Sequence, residues 1–434
     1  MTRLGPYPDY RDASTQWLSS VPAHWSVGRL MHAASAWTSN VDKHTVEGQR
    51  PVRLCNYTDV YKNAAIHGDM DFMRATASEE QINRFRIARG DTLITKDSET
   101  ADDIGVPSYV RYESPDLVCG YHLAIVRPRS GVEPRFLYWS LTAQPTLRQW
   151  AVLAAGVTRV GIRSSDLGRA TLALPPLDEQ RAIADYLDGE TAKIDMLIGK
   201  QEQLIATLRE RRAALVASAV DRTDDLMPLR RYLVSLRQGW SPNCEAEPGD
   251  GVEQWAVLKT GAPNQGVFSS HENKRLPDTE VPRPGAVVQR DEIVMSRASS
   301  REWVGSAARV DGNYPRLMLS DLTYALRLSA DAEPQYVVWA LGGRRARGLL
   351  EAAAKGTSPS MQKLSQRDIR ELTLWFPPLG QQRRIAAYLD DQTAKIDALI
   401  AKAERFIDLA KERRGALITA AGTGQIDVRD QVSA

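Results

Sequence analysis

The sequence predicts a mixed fold: two α/β heads plus an α-helical rod of two long antiparallel coiled-coil helices, with approximate internal two-fold symmetry. Three observations predict it. A helical segment occurs twice with no insertion or deletion, the regions before each copy share a common order of motifs, and the apolar spacing inside the copies has a coiled-coil period. The chain divides accordingly into a first head over 1–174, a first long helix over 175–222, a second head over 223–374, and a second long helix over 375–424 with a short tail to 434.

The first head contains RGDTLITKDSETADDIGVPSYV from Arg89, which reads as a charged turn, an alternating apolar strand, a basic residue, a polar loop and a second strand. The stretch EPRFLYWSL from Glu133 follows and reads as a short helix, and AAGVTRVGIRSSDLGRATLALPP closes the head on a Gly, Ser, Thr and basic loop. The second head repeats this order with QRDEIVMSRASSREWVGSAARV from Gln289, EPQYVVWAL from Glu333 and AAAKGTSPSMQKLSQRDIRELTLWFPP. Both heads are therefore expected to be mixed α/β domains of common descent.

Each head ends at a double proline, which stops the preceding element, and about 40 proline-free residues follow. Residues 175–215 and 377–417 share about 25 identities in 41 positions, so duplication rather than chance explains them. A 4,3,4,3 walk along the first copy visits Ile183, Leu187, Glu190, Ile194, Leu197, Gln201, Leu204, Leu208, Arg211 and Leu215. In the second copy it visits Ile385, Leu389, Gln392, Ile396, Leu399, Ala403, Phe406, Ala410, Arg413 and Leu417. This 3.5-residue period is that of one seam facing one partner helix, with Ile194, Leu197, Leu204, Leu208, Ile396, Leu399, Phe406 and Ala410 as its packing residues. Ile198, Ile205, Ile400 and Ile407 widen the stripe. The polar places of the walk pair Glu190 with Arg413 and Gln392 with Arg211 if the helices run antiparallel. Reach favours that direction. Parallel packing would separate the end of one helix from the start of the next by about 60 Å, whereas a head of about 150 residues has a radius of gyration near 15 Å and termini that usually lie close together.

Composition excludes several classes. The chain is 434 residues long, 43% hydrophobic, with a mean hydropathy of −0.37 and net charge +2, which suits a globular chain whose partners depend on where its bases cluster rather than on their total. Neither a signal-peptide run nor a membrane-length apolar segment is evident, so the expected location is cytoplasmic. Cys55, Cys119 and Cys244 form no C-x-x-C pair, and the six histidines show no metal-ligand spacing, so no metal is expected. The Gly199–Lys200 pair is followed by Gln201 and belongs to no phosphate loop. Leucine and phenylalanine precede the double prolines, where an adenine methyltransferase would need Asn or Asp, and Ile94 stands where a nuclease strand would need an acid. No catalytic residue is expected in this chain.

Basic and hydroxyl side chains do cluster, in matching loops of the two heads. The first head offers Lys96, Ser98, Thr100, Arg159 and Arg163; the second offers Arg297, Ser299, Ser300, Arg301, Lys355, Lys363 and Arg367. These are the residue types that contact phosphates and base edges, so the loops are candidate DNA-binding elements. Ser365 and Asp368 form S-x-x-D, a helix start whose free N–H groups would suit a phosphate. Residue by residue, the alternative is a solvated loop.

The stretches YRDASTQWLSSVPAHWSVGRL, ALPPLDEQRAIADYLDGETAKID, FPPLGQQRRIAAYLDDQTAKIDALI, GDTLITKD and RDEIVMSR together resemble the specificity subunit of a type I restriction-modification enzyme. The resemblance implies that the heads are target recognition domains, each reading one half of a split asymmetric DNA target. It further implies that the helices set the distance between them and dock two methyltransferase subunits, which restriction and translocase subunits can join. S-adenosylmethionine, ATP and Mg would then sit on those partners, with no cofactor in this chain. One departure is that Gly380 and Gln381 replace Asp178 and Glu179, which would leave the two docking surfaces unequally acidic. Two other readings remain open: an autonomous bipartite DNA-binding protein without enzyme partners, and a coiled-coil scaffold whose heads bind protein.

Overall fold

Two helices of 44 residues each, Leu177–Val220 and Leu379–Gly422, begin directly after the double prolines that the sequence marks as stops. The computed structural model describes residues 5–264, 266–356, 358 and 360–429; Thr357 and Pro359 of the second head's closing loop, and the ends of the chain, lie outside the described residues. The chain forms two units, one over Met1–Lys200 with Arg405–Ala434 and one over Gln201–Glu404. Each unit therefore contains one head, the start of one long helix and the end of the other.

In the first unit a five-stranded sheet runs in the order Ala34–Thr38, Leu123–Pro128, Thr92–Thr95, Pro107–Val110, Ala65–Ile66, antiparallel except for the last pair. A second sheet orders Leu117–Cys119, Arg50–Cys55 and Met73–Ala77, the first pair parallel and the second antiparallel. The other unit repeats this plan. Its main sheet orders Leu233–Gln238, Thr323–Leu328, Ile293–Ser296 and Ala307–Arg309, all antiparallel. Its smaller sheet orders Leu317–Met318, Ala256–Leu258 and Asn273–Arg275 with the same parallel and antiparallel pairings. The strands Thr92–Thr95 and Ile293–Ser296 are buried throughout, as apolar runs with a sheet neighbour on each side should be.

The short helices expected after E-P are Pro134–Thr142 and Pro334–Gly342, each with proline in its first turn, where the missing N–H costs nothing. They attach each head to its long helix through the same contacts. The backbone N–H of Glu133 donates to Gln180 Oε1 at 2.9 Å, and that of Glu333 donates to Gln382 Oε1 at 2.9 Å. The amide nitrogens of the same glutamines donate to the carbonyls of Pro175 and Pro377. Trp139 Nε1 donates to Asp188 Oδ1 at 2.9 Å, and Trp339 Nε1 to Asp390 Oδ1 at 2.8 Å.

The long helices run antiparallel in both units. In the first, Ile183 and Leu187 share a core with Ile418 and Ala421, and Arg414 Nε lies 3.0 Å from Asp195 Oδ1. In the second, Val216 and Val220 share a core with Ala386 and Leu389, and Arg212 Nε lies 3.0 Å from Asp397 Oδ1. The two ion pairs are one contact repeated by the duplication, since Asp195 and Asp397, like Arg212 and Arg414, are 202 positions apart.

Burial corrects half of the expected seam. Ile194, Leu208, Ile396 and Ala410 are buried as expected, but Leu197, Leu204, Leu399 and Phe406 are 42–49% exposed. The inward residues are one place further on: Thr191, Ile205, Thr393 and Ile407 are buried, and Ile198 and Ile400 partly so. The inward walk is thus 187, 191, 194, 198, 201, 205, 208, 212 on one helix and 389, 393, 396, 400, 403, 407, 410, 414 on the other, still with a 3.5-residue period. The polar places common to both helices are consequently Thr191 and Arg212, then Thr393 and Arg414, with Gln201 a further one on the first helix. The hydroxyls of Thr191 and Thr393 donate to the carbonyls of Leu187 and Leu389 at 2.6 Å, which satisfies them within their own helices. Glu190 and Arg413 both act on the Tyr186 hydroxyl, Glu190 pairs with Lys193 at 2.7 Å, and Asp195 forms an interhelix ion pair with Arg414. Adjacent substitutions should separate the two walks: Ile205→Ala is expected to cost about 2–5 kcal/mol, and Leu204→Ala under about 1 kcal/mol because its side chain is already half in water. Chemical denaturation of the two variants checks this, and equal losses would contradict the burial pattern.

Candidate nucleic-acid interface

The paired loops named from the sequence meet in space in both heads. In the first, Asp97–Ser98 and Val160–Gly161 form a two-stranded ladder, and Ile162 N–H donates to the Lys96 carbonyl at 2.8 Å. In the second, Ala298–Ser299 and Gln362–Lys363 form the equivalent ladder, and Leu364 N–H donates to the Arg297 carbonyl at 2.9 Å. Lys355 and Lys363 exchange both backbone hydrogen bonds, as do Ala155 and Gly161 in the first head. The loop after the buried central strand is thereby fastened to the loop before the double proline, and one polar face results in each head.

Within that face the candidates separate into outward and inward groups. Thr100, Arg159, Arg163, Arg301, Lys355, Lys363 and Arg367 are exposed, with Arg367 in a 3.4 Å pair with Glu371. Ser299 and Ser300 are half-buried. Lys96, Ser98 and Arg297 face inward. Lys96 Nζ lies 2.7 Å from Asp97 Oδ2, the same oxygen that lies 2.7 Å from His122 Nδ1. Ser98 is buried, and its Oγ accepts from the Thr100 backbone N–H. Arg297 donates to the Tyr324 hydroxyl at 3.1 Å and to the Asp321 carbonyl at 3.0 Å. Each basic residue sits where its strand leaves the sheet and ties the loop base down, Lys96 through an ion pair and Arg297 through neutral acceptors. Helix Gln366–Glu371 starts at Ser365 with a full capping box, in which Asp368 accepts from the Ser365 N–H and the Ser365 hydroxyl accepts from the Asp368 N–H, so two of the N–H groups on which the phosphate reading rested are engaged by side chains.

Two sets of aromatic residues escaped the sequence reading. Tyr57 and Tyr61 stack with ring centroids 5.4 Å apart beside the first loop, and a cavity of about 310 Å³ is lined by Tyr57, Asp97, Ser98, Glu99, Asp103, His122 and Arg159. Burial, followed by the Asp103 charge, raises the Tyr57 hydroxyl's pKa, so the phenol stays a neutral donor at physiological pH. In the second head Trp303 stands 36% exposed in the Ser300–Trp303 turn. The i, i+4 spacing of the two tyrosines on helix Tyr57–Lys62 was a readable signal.

The unequal acidity expected at positions 178–179 and 380–381 resolves differently. Glu179 is 6% exposed and accepts hydrogen bonds from Trp25 Nε1 at 2.9 Å and the Tyr7 hydroxyl at 3.1 Å, with His24 Nε2 at 2.7 Å. Its charge holds the N-terminal segment against the first long helix and does not form a docking surface. Among the described residues no group of three or more acidic, histidine or cysteine side chains could hold a metal, and no helix is long and apolar enough to cross a membrane.

Duplicated α/β heads, each presenting fastened polar loops and each attached to a long helix, define a class of modular recognition proteins. Residues 54–206 match the model of the type I restriction modification DNA specificity domain, and the curated relatives the chain resembles are type I restriction enzyme specificity subunits. It is similar to the EcoEI specificity subunit of Escherichia coli, 31% identical over 160 residues, which is 37% of this chain and 27% of that protein. The EcoKI specificity subunit of E. coli strain K12 is 23% identical over 323 residues, 69% of this chain and 68% of that protein. Among solved structures, one from a study of complex assembly and conformational transition in the type I system matches with a TM-score of 0.72 at 16% identity, covering 94% of this chain and 99% of that one. The HsdS subunit from Thermoanaerobacter tengcongensis matches with a TM-score of 0.53 at 17% identity, covering 94% and 98%. The likeness to both concerns the fold.

Proposed function

We propose that this chain is the non-catalytic DNA-recognition subunit of a type I restriction-modification complex, in which the heads at 1–174 and 223–374 each read one half of an asymmetric, split DNA target. The observation that carries this reading is the doubled polar face: the same two loops are fastened by the same ladder in both heads, with exposed Arg159 and Arg163 on one and Arg301, Lys355, Lys363 and Arg367 on the other. Arginine suits bidentate contact with guanine, and lysine and arginine suit phosphate. The long helices at 175–222 and 375–424 dock two adenine methyltransferase subunits, to which restriction and translocase subunits add. S-adenosylmethionine, ATP and Mg are held by those partners, and this chain supplies sequence choice alone.

The test is modified-base sequencing of host DNA with and without this gene, the methyltransferase gene being present in both. One bipartite adenine-methylated motif should vanish with the gene. An unchanged methylation pattern would refute the reading, and tight specific binding by the purified chain alone would favour an autonomous DNA-binding protein instead.

A further inference from the structure

A second basic surface adjoins each recognition face and is made mainly from the turns at Leu30–Ala33 and Leu229–Tyr232, which the loops do not include. In the first head the backbone N–H of Leu30 donates to the Ala170 carbonyl at 2.7 Å, and that of Met31 to the Gly168 carbonyl at 3.0 Å. These bonds set the turn Leu30–Ala33 beside the short helix Ser164–Leu167, which begins two residues after the loop ladder ends. Arg29 and His32 on the turn are exposed, as is Arg163 at the head of the short helix, and none of the three has an ion-pair partner among the described residues. The one neighbouring acid on that helix, Asp166, is committed to Arg169 at 2.9 Å. Arg29 and His32, together with Arg11, Ser14 and Thr15, also line an open cavity of about 510 Å³.

The second head repeats the construction with different residues. Leu229 N–H donates to the Leu372 carbonyl at 2.8 Å, the counterpart of Leu30 on Ala170, and sets the turn Leu229–Tyr232 beside helix Gln366–Glu371. The exposed bases here are Arg230 and Arg231, with Arg370 half-buried nearby. Asp368 is taken by its cap and Glu371 by Arg367, so no carboxylate of that helix is left to neutralise the turn. Side chains at matching positions have changed from Met31 and His32 to Arg230 and Arg231, yet the uncompensated positive character has been kept twice.

We infer that these turns are phosphate-gripping shelves that hold the DNA backbone flanking each half-site, next to but separate from the loops that read bases. The inference rests on the proposed DNA-recognition function and extends it. A shelf of this kind contributes affinity without sequence preference, because it meets only phosphates. Its loss should therefore appear in the salt dependence of binding and not in the motif.

The experiment uses the assembled methyltransferase complex carrying Arg29→Gln, Arg230→Gln and Arg231→Gln together, with equilibrium DNA binding measured across a salt series and the methylated motif sequenced. Three lost phosphate contacts at about 0.9 each should make the slope of log K against log salt shallower by about 2.7, weaken matched and mismatched DNA alike, and leave the motif unchanged. A slope equal to that of the parent complex, or an altered motif, would overturn the shelf. Loss of the methyltransferase subunits on purification would also overturn it, by showing that the surface is covered by protein. Arg159→Ala and Arg301→Ala, run alongside, separate the two claims: if they alter the motif while the shelf variant does nothing, the recognition reading stands and only the shelf fails.

Discussion

Alanine at both Arg159 and Arg163 in the assembled complex is expected to weaken binding to the cognate target at least tenfold and to relax base preference in one half of the motif only. A base-reading arginine contributes about 1–3 kcal/mol and its loss relaxes one position, whereas a phosphate-contacting residue lowers affinity for every sequence and flattens the salt slope by about one. Both side chains are exposed beside the ladder of the first head and have no ion pair among the described residues, so their removal leaves the fold intact. Arg301→Ala with Lys363→Ala should act on the other half of the same motif. Lys96→Ala and Arg297→Ala belong to a different category, because their side chains are spent on Asp97, Tyr324 and the Asp321 carbonyl. They should disturb the loops' shape, and the conservative variants Lys96→Arg and Arg297→Lys should restore function partly. Binding curves and motif sequencing check this; relaxation of both halves by a first-head variant would contradict the assignment of one head to each half.

The second large effect concerns the attachment of head to helix. Trp339→Ala is expected to destabilise its unit by about 3–5 kcal/mol, the usual range for deleting a buried large aromatic. Trp339 is 7% exposed, donates its indole N–H to Asp390, and lies under the Arg212 guanidinium with 5.6 Å to the ring centroid. Arg212 in turn pairs with Asp397, so one indole connects the head, both long helices and the interhelix ion pair within that unit. Trp339→Phe keeps most of the apolar area and removes only the donor. Because Asp390 also accepts from Gln335 Nε2 at 2.9 Å, the carboxylate keeps a partner, and a loss of about 1 kcal/mol is expected. The corresponding site in the first unit, where Trp139 donates to Asp188 and lies under Arg414, should behave alike. Chemical denaturation monitored by tryptophan fluorescence provides the measurement, and a cost below about 1 kcal/mol for Trp339→Ala would show that the head is held by other contacts.

The P-P-L-x-x-Q-x-x-I-A-x-Y-L-D run that carried the resemblance thus acquires physical roles. Gln180 and Gln382 bind the starts of the short head helices, Ala184 and Ala386 with Leu187 and Leu389 enter the cores, and Asp188 and Asp390 accept from the tryptophans. The donors lie some 50 residues upstream in the chain, so the motif could be recognised from sequence while its partners could not.

What the sequence determined by itself is whatever depends on local chemistry and on repetition. Double prolines marked the helix starts because proline cannot continue a helix, and E-P marked the short head helices because proline is favoured in a first turn. Duplication located the two heads and their matching loops without any knowledge of their contacts. Tertiary structure decided which of two neighbouring side chains faces inward. Leu197 and Ile198, Leu204 and Ile205, Leu399 and Ile400, Phe406 and Ile407 are apolar doublets, and a 3.5-residue period passes equally well through either member. The choice fell to the isoleucines and, at the polar places, to Thr191, Arg212, Thr393 and Arg414, because only that rotation of each helix sets Arg212 and Arg414 against the tryptophans of the heads and the aspartates of the facing helix. The same held for charge. Glu179 and Arg297 read as surface groups in sequence, but partners distant in the chain, His24 and Trp25 for the first and Tyr324 for the second, drew them inward, while Lys96 turned to the adjacent Asp97; a buried ionic group is tolerated only where such partners meet it.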